Sequence, residues 1–128
     1  MNKLKFILGL LIAATACHIY AGQNINSNFI GVWVTSTKVC KEKGMTGDEL
    51  DGMITIKNGV IEEQHMETYQ KTKLNKVKVN NSHQLLASGI AHWSAETEEG
   101  HSKASYNLSI NNGMMIDHRN SWKYLKCR

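Results

Sequence analysis

The sequence predicts an all-β domain: an antiparallel up-and-down meander of about seven or eight strands, closed into a small barrel and stapled by one disulfide. Three observations point there. Past the N-terminus, apolar residues recur with period two, and no stretch keeps the 3.6-residue period of a helix. Asn58-Gly59 stands between two β-branched runs, which is the composition a two-residue hairpin turn asks for. The chain has no proline to interrupt backbone pairing, and closing a meander removes its exposed edges.

The chain opens on a leader. Asn2, Lys3 and Lys5 make a short positive start, and residues 6–16 form an apolar run broken only by Gly9 and Thr15. That run is shorter than the roughly 18–20 residues a membrane-spanning helix needs. Small residues follow it, as in a cleavable export signal. Cleavage after Ala21 removes residues 1–21. Cleavage after Ala16 is the alternative, because Ala14-Thr15-Ala16-Cys17 resembles a bacterial lipobox with Ala14 in place of the usual Leu. Cys17 would then be lipidated and hold the domain on a membrane without a spanning helix. Residues 22–28 are a polar lead-in, and residues 29–128 form a single domain, as a chain of 128 residues suggests.

Either cut leaves the domain two cysteines, Cys40 and Cys127. In an oxidising compartment they are expected to pair. The loop they enclose is long, worth roughly 4–5 kcal/mol in the chain-entropy view. The net charge is +4 and halves when Lys3 and Lys5 leave with the leader. So mild an excess demands neither nucleic acid nor an anionic membrane, and export argues against a nucleic-acid partner.

Residues 29–40, rich in β-branched and aromatic side chains, read as a first strand. Residues 41–52, with three glycines and several charges, read as a loop with one helical turn at 48–50. Residues 53–57 and 60–62 form the Asn58-Gly59 hairpin, and residues 63–70 extend its second arm. Residues 72–79 make another strand, turned at Asn80-Asn81-Ser82. Residues 84–96 follow, bent or bulged at Gly89. Ala104, Tyr106, Leu108 and Ile110 alternate with polar residues, giving a strand with one buried face. A three-residue loop at Asn111-Asn112-Gly113 would set Ile110 opposite Met114 and Leu108 opposite Ile116, which continues the apolar face. A two-residue turn would place Met115 and Asp117 there instead. Residues 121–127 close the meander, with Trp122 and Tyr124 on one face and Leu125 and Cys127 on the other.

At Phe29-Ile30-Gly31-Val32-Trp33 the chain resembles the opening of lipocalin-like barrels, which begin with a Gly-x-Trp strand after a polar lead. Gly31 and Trp33 carry the match. The middle lipocalin signature is absent, and the mature chain is shorter than theirs. The resemblance implies a barrel with Trp33 plugging its core and a basic residue near that ring, with Arg119, Lys123 and Arg128 as candidates. It speaks for the fold more than for the function.

Pairing across Asn58-Gly59 puts Ile54, Ile56 and Ile61 on one face, and the same face continues through Glu63, His65, Glu67 and Tyr69. If that face lines the barrel, Glu63, His65 and Glu67 make a polar wall inside it. A bulge near Glu62-Glu63 would instead turn Met66 inward and the charges outward. His83, His92, His101 and His118 are scattered singly, and Asp48, Glu49 and Asp51 lack calcium-loop spacing, so no metal is expected. Lys71, Lys73, Lys76 and Lys78 read as a solvated basic edge. No serine lies in a Gly-x-Ser-x-Gly turn, and the two cysteines are expected to be oxidised. No catalytic residue and no cofactor is therefore assigned.

The expected function is that of an exported, non-enzymatic binding protein, periplasmic or secreted. It would hold an apolar or amphipathic small ligand against Tyr69, Trp93 and Tyr106. The alternative is a module binding an extracytoplasmic protein, such as an enzyme inhibitor acting through residues 41–52. Contact with a membrane is expected only if Cys17 is lipidated. The intact mass of the protein from its own host should begin at Gly22 or carry acyl chains on Cys17; a retained Met1 would overturn export.

Overall fold

A computed structural model describes residues 24–41 and 51–128. The expected leader, Cys17 and the helical turn expected at 48–50 lie outside the described residues. The elements in chain order are β1 (Gly31–Val34), α1 (Thr37–Lys41), β2 (Gly52–Lys57), β3 (Val60–His65), β4 (Thr68–Asn80), β5 (Gln84–Ala95), β6 (Glu98–Asn111), β7 (Met114–Asp117) and β8 (Trp122–Lys126). Each strand pairs antiparallel with the next, and β8 returns to β1, so the sheet is a closed eight-stranded barrel. The expected class, topology and disulfide are all present.

The first strand is shorter than the β-rich run 29–40 suggests. It ends at Val34; Thr35 still donates its amide to the Gly52 carbonyl at 3.0 Å, and its side-chain Oγ1 accepts from the Gly52 amide at 2.7 Å. Ser36 then starts a helical turn, its carbonyl accepting from the Val39 amide at 3.1 Å. Cys40 therefore sits on α1 rather than on a strand. The closing seam is short: only Trp33↔Lys126 and Val34↔Leu125 pair, extended by the Cys127 amide donating to the Val32 carbonyl. The Cys40–Cys127 bridge, with Cα atoms 5.7 Å apart, lies beside this seam. Val34, on the outer face of β1, and Val39 of α1 are both buried there.

The Asn58-Gly59 turn forms in the expected register, Ile56 opposite Ile61. The second arm does not run on to residue 70, because Met66-Glu67 turns the chain back, with Met66 at φ 52°. A matching turn at Glu96-Thr97, with Glu96 at φ 48°, starts β6 well before Ala104. Neither turn carries the glycine or asparagine that advertises a left-handed residue. The expected disturbance at Gly89 is present as a bulge in the facing strand, between Leu74 and Lys76. A Cβ on Gly89 would lie 2.0 Å from the Lys73 carbonyl oxygen, so the strands pass too closely there for any side chain.

Two sides of the interior differ. One end carries the Asn58-Gly59, Asn81-Ser82 and Asn112-Gly113 turns, and the polar lead-in crosses it rather than hanging free. The Ile25 amide donates to Asn58 Oδ1 at 2.9 Å and the Asn26 amide to Asn80 Oδ1 at 2.8 Å. Ile25 and Phe29 thereby enter a core shared with Trp33, Ile54, Ile61 and Leu108. Phe29 is fully buried, and its carbonyl accepts the Trp33 indole hydrogen at 2.9 Å. The basic residue beside Trp33 is Lys126, whose Nζ stands 5.4 Å from the ring centroid; Arg119, Lys123 and Arg128 do not fill that place. The opposite end is bounded by Met66-Glu67, Glu96-Thr97 and residues 118–121, and its interior is polar.

Candidate functional site at the open end

The β6–β7 connection decides what this end contains. Asn111 pairs with Met114 and Leu108 with Asp117, so Asn112-Gly113 is a two-residue turn with both residues at positive φ. The three-residue loop expected from apolar continuity does not form. The register that occurs sends Asp117 inward, fully buried. It is tolerated because Arg119, two residues on, folds back onto it. Arg119 Nε lies 3.0 Å from Asp117 Oδ1, and Nη2 lies 2.6 Å from Oδ2. The same Nη2 also donates to Glu63 Oε1 on the opposite wall.

Glu63 is inward on β3 and buried, because the strand stays regular and the bulge that would have turned the charges outward is absent. Its other oxygen accepts from Tyr106 Oη at 2.7 Å and from Gln70 Nε2 at 2.8 Å. Tyr106 Oη also meets Thr72 Oγ1 at 2.7 Å, and the Arg119 guanidinium stands 4.5 Å over the Tyr106 ring. One cation thus joins two carboxylates across the barrel, with β4 and β6 side chains completing the shell.

Burial alone would raise the Glu63 pKa. The neighbouring imidazole of His65 at 3.9 Å, the hydrogen bonds from Arg119 and Tyr106, and the Arg119 charge outweigh it and hold the carboxyl down to about 2. Tyr106 is pushed the other way, by burial first and then by the Glu63 charge. Tyr124 is raised for the same reasons, burial and then the Asp117 and Glu63 carboxylates. Arg119 loses to burial but gains more from its hydrogen bonds to Asp117 and Glu63, so it stays charged.

Two buried polar atoms stand out against this satisfied network. Tyr124 Oη and His65 Nδ1 make no hydrogen bond. The His65 ring packs edge-on to Trp122 at 5.3 Å, in space that Gly52 leaves by having no side chain. His65 also lines a recess of about 280 Å³, together with Glu63, Thr68, Gln70, Arg119 and Asn120. A second recess of about 320 Å³ shares Arg119 and lies against Leu86, Ser88, Ser105, Asn107 and His118.

Of the residues singled out in sequence, Glu63, His65 and Tyr106 come together here. Trp93 is on the inner face of β5, with its indole over Gly100 of β6; a Cβ on that glycine would lie 2.6 Å from the ring. Glu67 lies in the Met66-Glu67 turn, exposed. Tyr69 points outward, paired with Gln64, and donates from its hydroxyl to Glu62 at 3.1 Å, so it does not line the interior. In sequence Gln70 and Thr72 carry no site assignment, Arg119 enters only as a candidate basic partner of Trp33, and Asp117 and Tyr124 only in placing strand faces. The available signal was Asp117-x-Arg119 directly after a strand, which lets an arginine neutralise an inward aspartate.

No protein-family model, curated protein or solved structure matches this chain.

Among the described residues no group of three or more His, Cys, Asp or Glu is arranged to hold a metal ion. Chemically, the site is a charged, hydrogen-bonding floor with one negative charge in excess, set beneath an open rim that carries Trp93.

The low pKa of Glu63 fixes a pH dependence. The stability it contributes is fully present above the ordinary value of 4.5 and is lost as the pH falls through about 2. Glu63→Gln should cost about 2–4 kcal/mol near neutrality, since it leaves Arg119 and Tyr106 short of a buried partner. It should also flatten the stability profile between those two pH values. Denaturant unfolding of both proteins at several pH values checks this; parallel profiles would contradict it.

Proposed function

We propose that this chain is an exported, non-enzymatic binding protein that takes the polar head of a small amphipathic ligand into the open end of its barrel. The observation that carries the reading is a charged recess lined by Glu63, His65, Gln70 and Arg119, in which His65 keeps a buried Nδ1 with no hydrogen-bond partner. A buried polar group without a partner costs about 1–3 kcal/mol, which a ligand head group able to bond it would recover. Apolar side chains, Phe29 and Trp33 among them, already fill the other end, so the ligand's tail belongs at the rim, against Trp93 and the exposed Met66. Glu63 and Asp117 outnumber Arg119, which favours a head that donates hydrogen bonds or carries positive charge.

Export is supported by the leader-like N-terminus and by the disulfide, which persists in oxidising compartments. Processing after Ala21 gives a soluble protein; processing before Cys17 gives one held on a membrane by acyl chains.

Decylammonium and decanoate share a tail and differ in the sign of the head. Below their micellar concentrations, decylammonium should perturb tryptophan fluorescence saturably and bind at least about tenfold more tightly than decanoate, a difference of roughly 1.4 kcal/mol. Trp93→Ala should weaken it. Equal binding of the two, or none, would reject the reading.

A further inference from the structure

Strand β6 is longer than its partner β7 can cover. On one side β5 pairs with it without a break from Glu98 to Ser109. On the other side β7 pairs only with residues 108–111, and the His118 amide takes the Asn107 carbonyl at 3.0 Å. Among the described residues, no strand lies against residues 98–106 on that side. Glu98, Glu99, His101, Ser102, Lys103 and Ser105 are exposed. The barrel is thus closed at one level and carries a free strand edge at the other.

The direction of the free backbone groups follows from two bonds. The Asn107 carbonyl points away from β5, toward His118, whereas the Ile110 amide points to the β5 side, toward the His83 carbonyl. Directions alternate along a regular strand. Glu99, His101, Lys103 and Ser105 therefore turn their amides and carbonyls to the open side. A long edge of this kind is a template for another strand unless bulges, prolines or charges unmatched on the incoming strand block it. This one has no proline and no bulge in its pairing with β5.

We infer that the protein forms a two-fold dimer in which β6 pairs antiparallel with β6 of a second copy, centred on His101. Antiparallel self-pairing about a residue places its neighbours opposite one another at equal distances. Centred on His101, Glu99 of each copy faces Lys103 of the other, and these outward-directed residues exchange two hydrogen bonds per pair. Shifting the centre by one residue breaks both ion pairs: Glu99 then faces His101 or Ser105. Shifting by two sets Glu99 on Glu99 or Lys103 on Lys103, a like-charge clash. The edge is self-complementary in one register only. Glu99 is free enough to take part, since its contact to His92 is an exposed one at 3.8 Å. The interface is narrow, so the dimer belongs to the weak, micromolar class. This inference rests on the β6 edge and does not depend on the ligand reading.

Protein expressed from the full-length sequence and purified with its disulfide intact should show a concentration-dependent monomer–dimer equilibrium by sedimentation velocity. Glu99→Lys and Lys103→Glu should each weaken dimerisation at least tenfold. The double exchange Glu99→Lys with Lys103→Glu should restore it, because the opposite charges again face each other. A monomer at all concentrations up to near millimolar, a dimer indifferent to the single exchanges, or a double variant that stays monomeric would each overturn the proposal. Near-UV circular dichroism on every variant confirms that the barrel is intact.

Discussion

Arg119 joins two walls of the barrel that the backbone ties only loosely. β7 is four residues long and β8 five, and β8 meets β1 through two residue pairs. The β7–β8 hairpin is therefore held from inside as much as through its ladder. Arg119 grips Asp117 at the hairpin's own end and Glu63 on β3 across the interior. Outside, the Cys40–Cys127 bridge ties the neighbouring seam. A buried carboxylate pair would be costly by itself, but a guanidinium between the two gives each its counter-charge and a directed hydrogen bond. The same arrangement divides the interior into a filled apolar half and a polar half that opens outward.

Much of the architecture was legible in the sequence because strand alternation, Asn-Gly turns and cysteine number act locally. Ile54, Ile56 and Ile61 fall on one face by parity alone, and Asn58-Gly59 fixes their register. What escaped was set by contacts distant in sequence. Met66 and Glu96 adopt left-handed geometry because the paired strands on either side require it, and nothing in their side chains announces that. The Asn112-Gly113 register differs from the one apolar continuity predicts. Continuity of apolar residues disfavours an inward Asp117, but Arg119 folds back onto it and makes the inward position favourable. Cys40 leaves the strand that β-branched composition predicts because the Ser36 carbonyl opens a helical turn.

The candidate site was half visible. Parity put Glu63 and His65 on the inner face, and the structure adds the partners that give that face a role. Tyr69 and Glu67 fell away because the strand ends at His65, two residues before Glu67. The free edge of β6 has the same origin as the polar opening: β7 is too short to accompany β6 along its whole length. One mismatch in strand length thus leaves both an accessible interior and an exposed backbone edge. The position of Glu99 and Lys103 along that edge gives it a preferred partner.

Arg119 couples the two walls, and a double-mutant cycle on Glu63→Gln and Arg119→Gln measures that coupling most directly. Equilibrium unfolding of the wild type, the two single variants and the double variant should give an interaction free energy of about 1–3 kcal/mol. The exposed pair Lys57–Glu62, 3.5 Å apart with the lysine 62% exposed, should give well under about 1 kcal/mol by the same cycle. Additive effects at Glu63 and Arg119, no larger than at the surface pair, would contradict the claim that this cation holds the barrel together.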